Sequence, residues 1–131
     1  MIAVDTNVLV RLLVGDDPKQ SAAARSIFKT GPVWIAKTVL LETAWVLRSV
    51  YQLKEHAILD AFARVLGLRN VEVEDEAAVA AALQLANHGI DFADALHLSS
   101  RPPQSEFVSF DGAFVRRARA AGASKVAETR A

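Results

Sequence analysis

Cysteine is absent from the 131 residues. That excludes a disulfide framework, a thiolate zinc site and a thiol nucleophile, and it agrees with a reducing compartment. A global excess of either charge is also missing: 15 Lys and Arg stand against 15 Asp and Glu. The simplest argument for nucleic-acid binding, a basic chain, is therefore gone. Long hydrophobic runs are missing too. The longest, Ala77 to Leu83, is far short of the ~20 residues of a membrane span. No basic stretch followed by an apolar core opens the chain, so no signal peptide is expected and a cytoplasmic location is. There is no internal repeat, low-complexity tract or interdomain linker.

What is present is a hydrophobic content of 52% with 23% charged residues. That is too apolar for disorder, and the length suits one domain burying roughly two-thirds of its unfolded surface. Short apolar runs at Ile2-Ala3-Val4, Val33-Trp34-Ile35, Val71-Glu72-Val73, Phe107 to Phe110 and Lys125-Val126-Ala127 are predicted strands. Between them fall helical patterns. One follows Asp5-Thr6-Asn7, and Val8, Leu9, Leu12 and Leu13 give its period. Gly15-Asp16-Asp17-Pro18 reads as stop, turn, N-cap and Pro at N1, opening a helix over Lys19 to Lys29. A stripe at Val39, Leu40, Ala44, Leu47 and Tyr51 is followed by a helix from about Lys54 to Leu66, stopped at Gly67. Glu74-Asp75-Glu76 is expected in the first turn of an alanine-rich helix, where the dipole favours acids. That helix stops at Asn87-His88-Gly89. Asp91 to Ser100 forms the next, closed by Pro102-Pro103. Asp111-Gly112 reads as a turn before a helix over Phe114 to Ala121. Strands alternating with helices imply one α/β domain, residues 1–131, with a parallel sheet covered on both faces.

Sites in such sheets form beyond the carboxyl ends of the strands. Asp5 and Asp111 each follow a predicted strand. Glu42 and Asp94 interrupt apolar helices, where a carboxylate is rare unless paired or bound to metal. Asp91, Asp94 and His97 share one helix face. If Asp5, Glu42, Asp94 and Asp111 converged, each pair at ~4 Å would repel by about 1–4 kcal/mol. Hard divalent cations, Mg²⁺ or Mn²⁺, resolve such a cluster, and the chemistry they support is phosphodiester hydrolysis. Each residue also has a plainer role. Asp5 and Asp91 suit helix caps, Glu42 could pair with Lys37 or Arg48, Asp94 could form an ion pair, and Asp111 could shape a turn. His97 reads as packed or supporting rather than as a ligand. Thr6, Asn7 and Ser109 are caps or partners of the carboxylates, and Asp16, Asp17 and Glu72 to Glu76 are solvated charges. Spacing alone does not make the four acids meet.

Four segments carry a resemblance. Asp5-Thr6-Asn7-Val8-Leu9-Val10-Arg11-Leu12-Leu13, running on to Gly15-Asp16-Asp17-Pro18, resembles the opening of PIN-domain proteins of the VapC toxin type. Leu41-Glu42-Thr43-Ala44-Trp45, Asp91-Phe92-Ala93-Asp94-Ala95-Leu96 and Ser109-Phe110-Asp111-Gly112-Ala113-Phe114 are similar to the family's later motifs, in the same order. The resemblance covers essentially the whole chain. It implies a three-layer α/β/α sandwich with a small central parallel sheet, and a metal-dependent endoribonuclease using Mg²⁺, with Mn²⁺ as the alternative. It implies the toxin of a type II toxin–antitoxin system, homodimeric and inhibited by a VapB-type antitoxin. Residue by residue, Asp5, Glu42, Asp94 and Asp111 become the metal-binding set. Thr6, Asn7 and Ser109 become supporting residues, and Asp91 an outer contributor.

Other readings compete. A haloacid-dehalogenase-like phosphatase also begins strand then Asp, but needs a second Asp where Asn7 stands. A phosphoreceiver domain needs a Lys after a late strand, where Asp111 stands. A PIN-like RNA-binding or assembly module without nuclease activity is the stronger rival, opposed by the intact acids. Trp34, Trp45 and Tyr51 give the early helices more apolar surface than one small sheet needs, which suggests a dimer or ordinary core packing. The neutrality itself is a cancellation. Residues 1–100 hold 9 basic and 12 acidic residues, and residues 101–131 hold 6 and 3. Arg101, Arg116, Arg117 and Arg119 of that basic end are candidate RNA contacts or a solvated helix face.

Overall fold

Cap and turn chemistry brackets each short apolar run in the sequence, and the computed structural model, which describes residues 1–131, turns those runs into parallel strands. The chain divides into two units, Met1–Glu76 and Ala77–Ala131.

The first unit begins with β1 (Ile2–Ala3), then α1 (Thr6–Leu13) and α2 (Pro18–Thr30). After α2 come β2 (Val33–Ile35), α3 (Lys37–Ser49), α4 (Glu55–Leu66) and β3 (Val71–Val73). Its sheet runs β1-β2-β3, with Ile2 opposite Val33 and Val33 opposite Val71. The central strand is the most apolar: Val33 and Ile35 are fully buried, as are Leu9, Leu40, Leu47 and Ile58 on the helices. Helix α1 packs on α2 and α3. Asp17 caps α2 by accepting from the Gln20 amide at 3.0 Å, with Pro18 at the first helical position. Pro is favoured there because no N–H is needed.

The second unit takes up α5 (Glu76–Asn87) at its second residue and continues with α6 (Phe92–Ser99), β4 (Phe107–Ser109), α7 (Gly112–Ala120) and β5 (Val126–Glu128). Helix α5 ends before Gly89, whose φ of +91° suits a residue without Cβ. Strands β4 and β5 pair in parallel, Phe107 opposite Val126. The Phe107 ring meets Phe114 of α7 edge-on at 5.9 Å, an orientation favoured by the ring quadrupoles.

The expected α/β fold with small parallel pairing stands, its ladders falling into groups of three strands and of two, and two other expectations change. The parallel sense follows from intervening helices, whereas which strands neighbour one another is a long-range property that local patterning does not carry. Glu74 and Asp75 do not enter α5, whose first turn holds only Glu76. Glu74 instead accepts from the Lys37 amide at 3.0 Å, and Asp75 pairs with Lys37 Nζ at 2.9 Å. The N-cap of α3 is Ala36, which has no side-chain acceptor, so the Lys37 amide, an orphan donor at that helix start, is met from the β3 end. Finally, Asp111-Gly112 is the start of α7 rather than a separate turn. A Cβ on Gly112 would come within 2.7 Å of Glu128 Oε1, so the small residue admits the Glu128 side chain.

Candidate active site

Asp5 directly follows β1 and Val4 and heads α1, its Oδ1 accepting from the Thr6 amide at 2.7 Å. Thr6 is buried, and its hydroxyl donates a short hydrogen bond to Glu42 Oε1 on α3. One residue thus joins the two carboxylates, through its amide and its hydroxyl. Each acid keeps a second oxygen outside this pairing. Both line an open cleft of ≈ 320 Å³, together with Thr6, Asn7, Arg11 and Tyr51. Glu42 interrupts an apolar helix, as the sequence indicates, yet it faces solvent rather than the core. Its suggested ion-pair partners go elsewhere. Lys37 binds Asp75, and Arg48 binds Glu55.

In the second unit, Asp91 caps α6, its Oδ2 accepting from the Asp94 amide at 3.3 Å. Asp111 caps α7, its Oδ1 accepting from the Phe114 amide at 3.0 Å, and Ser109 Oγ in turn accepts from the Asp111 amide at 3.0 Å. Asp94 lies in the first turn of α6 and is half-buried. Its carboxyl is pushed above the usual carboxylate range, first by desolvation, then by the neighbouring charges of Asp91 and, less strongly, Asp111. His97 opposes the rise. The imidazole is exposed rather than packed. Asp94 is thus a half-buried acid with two acidic neighbours and one opposing imidazole.

Asp5 and Glu42 therefore meet in one cleft, and Asp91, Asp94 and Asp111 are electrostatic neighbours in the other unit. No three of these groups stand at metal-binding spacing. The chain's ion pairs engage other acids, namely Asp16, Asp75, Glu55 and Glu128. Asp5, Glu42, Asp94 and Asp111 offer oxygen donors and take part in none of these ion pairs, a chemistry that suits hard divalent ions.

The candidate RNA-contacting arginines divide. Arg101 spends its guanidinium on the carbonyls of Ser105, Ser124 and Lys125, at 3.2, 2.7 and 2.9 Å. Arg119 gives its Nε to the Val126 carbonyl at 2.9 Å. Arg116 and Arg117 are exposed on α7. Asn7 is exposed at the cleft.

Sequence reasoning missed one cluster beside Asp5 and Glu42. Arg11 Nη1 contacts Asp16 Oδ1 and the Tyr51 hydroxyl, both at 2.9 Å, and its Nε donates to Gln20 Oε1 at 2.6 Å. Tyr51 completes the ring by donating to Asp16 Oδ2 at 2.8 Å. Asp16 reads from sequence as a solvated turn charge and Tyr51 as part of an apolar stripe. Separations of 5 and 40 residues give no local signal that they share a partner.

Asp5 and Asp111 thus each follow a strand and head a helix in an α/β chain. A family model for the PIN domain matches residues 2–120, and the chain belongs to the PIN domain family. The chain is also similar to the crystal structure of Mycobacterium tuberculosis VapC20, a sarcin-ricin loop cleaving toxin. The two are 26% identical over 96% of this chain and 98% of that one, with a TM-score of 0.44. No curated protein matches the chain significantly. No helix is long and apolar enough to cross a membrane.

Proposed function

We propose that the two units make up one PIN domain over residues 1–131 and that the protein is a Mg²⁺- or Mn²⁺-dependent endoribonuclease, the toxin of a VapBC-type pair. The family match supports this by running through both units without a break. In this reading Asp5, Glu42, Asp94 and Asp111 hold the cation. Thr6, Asn7 and Ser109 support them, and Asp91 contributes from outside. The metal supplies Lewis acidity toward the scissile phosphate and lowers the pKa of the attacking water.

The chain's own groups do the remaining work. Thr6 fixes Asp5 and Glu42 relative to each other through its two hydrogen bonds. Ser109 and the α7 amides hold Asp111. Asp94, whose carboxyl is pushed up by burial and then by its acidic neighbours, would be eased into its charged form by a bound cation. Arg116 and Arg117 are the remaining free cationic rim for RNA phosphates. The expected partners are RNA, a VapB-type antitoxin and a second copy of the chain. The dimer expectation draws on Trp45, which is 64% exposed on α3, and the expected location is the cytoplasm.

The observation that carries the proposal is that none of the four motif acids is taken up by a Lys or Arg ion pair: Asp5 and Asp111 head helices, Glu42 shares the Asp5 cleft, and Asp94 stands in the first turn of α6. The test is cleavage of labelled RNA by the purified protein in Mg²⁺ or Mn²⁺, with EDTA as control. Cleavage that EDTA stops, and that Asp5→Asn and Asp94→Asn each abolish, is the expected result. Saturable metal binding without cleavage of any RNA overturns it in favour of an RNA-binding module.

A further inference from the structure

Arg11 occupies an unusual position for a surface arginine. It lines the same cleft as Asp5 and Glu42, yet it forms no ion pair with either. Its Nη1 is held by Asp16 and Tyr51, and its Nε by Gln20. These partners come from the turn after α1, from the end of α3 and from α2, so the guanidinium is fixed from three directions. Nη2 is the remaining arm of the fork. Long side chains ordinarily lose much of their rotamer freedom on binding a ligand. Here that loss is already met within the protein, which is what a preorganised anion contact needs. With Nε and Nη1 held, Nη2 alone keeps its N–H donors for an anion, and a charged N–H donor suits a phosphate oxygen.

The rest of the cleft fits the same ligand. Its ≈ 320 Å³ lies at the small end of the roughly 300–1,000 Å³ range of ligand sites, enough for one nucleotide unit. Val46 and Val50 form its apolar wall. Val50 is 62% exposed, a cost that a ribose or base face would relieve. Single-stranded RNA presents that combination of phosphate and unstacked base.

Resting on the ribonuclease reading above, we propose that Arg11 is a substrate-binding residue. Its Nη2 contacts a non-bridging oxygen of an RNA phosphate adjacent to the scissile one, and the Val46–Val50 wall takes the attached nucleoside. Asp16, Tyr51 and Gln20 are positioning residues that aim the guanidinium. Binding of the neighbouring phosphate sets the register of the chain relative to the acids. It contributes to substrate affinity rather than to the chemical step.

The test combines steady-state cleavage with binding of a fluorescein-labelled single-stranded RNA, followed by anisotropy in the Asp94→Asn background so that the probe survives. Arg11→Gln is expected to raise KM about tenfold, the loss of one charged hydrogen bond, with kcat within about twofold. The slope of log affinity against log salt should fall by about one. Arg11→Lys should recover the salt slope and part of the KM. Tyr51→Phe and Gln20→Ala keep the charge but release it, so KM should rise by a factor of about 2–3 with the salt slope unchanged. A fall in kcat with KM unmoved would place Arg11 at the reacting centre and overturn the proposal. A lower melting temperature with KM and salt slope unchanged would make Arg11 a structural clip and overturn it equally. If Arg11→Gln fails to fold, unchanged KM in both Tyr51→Phe and Gln20→Ala overturns it. Wild-type protein that neither cuts nor binds RNA sinks the ribonuclease reading as well. Wild type that cuts, beside an Arg11→Gln variant that cuts equally well, sinks this inference alone.

Discussion

Thr6 holds two acids with two donors, and only one of those donors belongs to its side chain. Thr6→Val keeps the shape and the amide bond to Asp5 but deletes the hydroxyl bond to Glu42. Removal of a group that orients a metal ligand typically lowers metal affinity or activity by roughly 10–100-fold. Cleavage by Thr6→Val should fall within that range, while Thr6→Ser, which keeps the hydroxyl, should stay near wild type. Equal activity in all three would show that Glu42 needs no orienting partner. Asp94 gives a prediction of opposite sign for stability. Its raised pKa means that the folded state disfavours its charge, so Asp94→Asn should raise the melting temperature of the metal-free protein while abolishing cleavage, the usual exchange of stability for activity. A lower melting temperature in EDTA would contradict the burial and repulsion that raise its pKa. Asp16 is the reverse case. The Tyr51 hydroxyl, then the Arg11 charge, hold its carboxyl below its ordinary value of 3.8. A depressed pKa contributes stability that is present above the unfolded value and lost as pH falls through the folded one. Tyr51→Phe should therefore return the Asp16 midpoint, followed by NMR of its carboxyl carbon, toward 3.8, and the part of its stability effect that runs through Asp16, though not the part from the Arg11 hydrogen bond, should vanish at pH below that midpoint. Most of these residues were legible as candidates from their position after strands or within apolar helices. The Arg11 ring was not, because hydrogen-bond partners distant in sequence leave no periodic trace.

At the scale of elements, capping and ligation turn out to be compatible roles. The sequence leaves Asp5 and Asp91 open between cap and site and Asp111 between turn and site, and all three cap helices. A carboxylate has two oxygens and about four lone-pair directions, so one amide bond does not use it up. Asp111 separates the two roles. Asn caps about as well as Asp, and replacement by Ala costs about 1 kcal/mol. Asp111→Asn should unfold in urea near the wild-type midpoint but cleave less RNA, whereas Asp111→Ala should lose both stability and activity. If Asn costs activity nothing, Asp111 is a cap alone. Strand positions were read well because Val33 to Ile35 and Val71 to Val73 are short, β-branched and bounded by turns. The start of α3 was not readable, since its amide is met by Glu74, 37 residues away. Gly112 was read as a turn because its tight approach to Glu128 is a tertiary fact.

At the scale of the molecule, the charge cancellation takes a different form from the one the linear count gives. The first unit holds 9 basic and 10 acidic residues, and the second 6 and 5, so each unit is close to neutral. The basic end of the chain is further reduced because Arg101 and Arg119 bind carbonyls. Affinity for RNA phosphates must then come from few local cations and from the metal, which no whole-chain count registers. The same reasoning yields a test of the four-acid set as one unit of function. A ligand that binds only the folded state stabilises it by about 2.7 kcal/mol at a hundred times its Kd. For a chain of this length that is roughly 10 °C in Tm. Mn²⁺ should produce such a shift in wild type, and EDTA should reverse it. Asp5→Asn lies in the first unit and Asp94→Asn in the second, and a shared cation requires that each alone remove most of the shift. The double variant should then lose little more than either single one, because the same binding event cannot be lost twice. Additive losses would mean two independent weak sites, and the proposed nuclease centre would have to be abandoned.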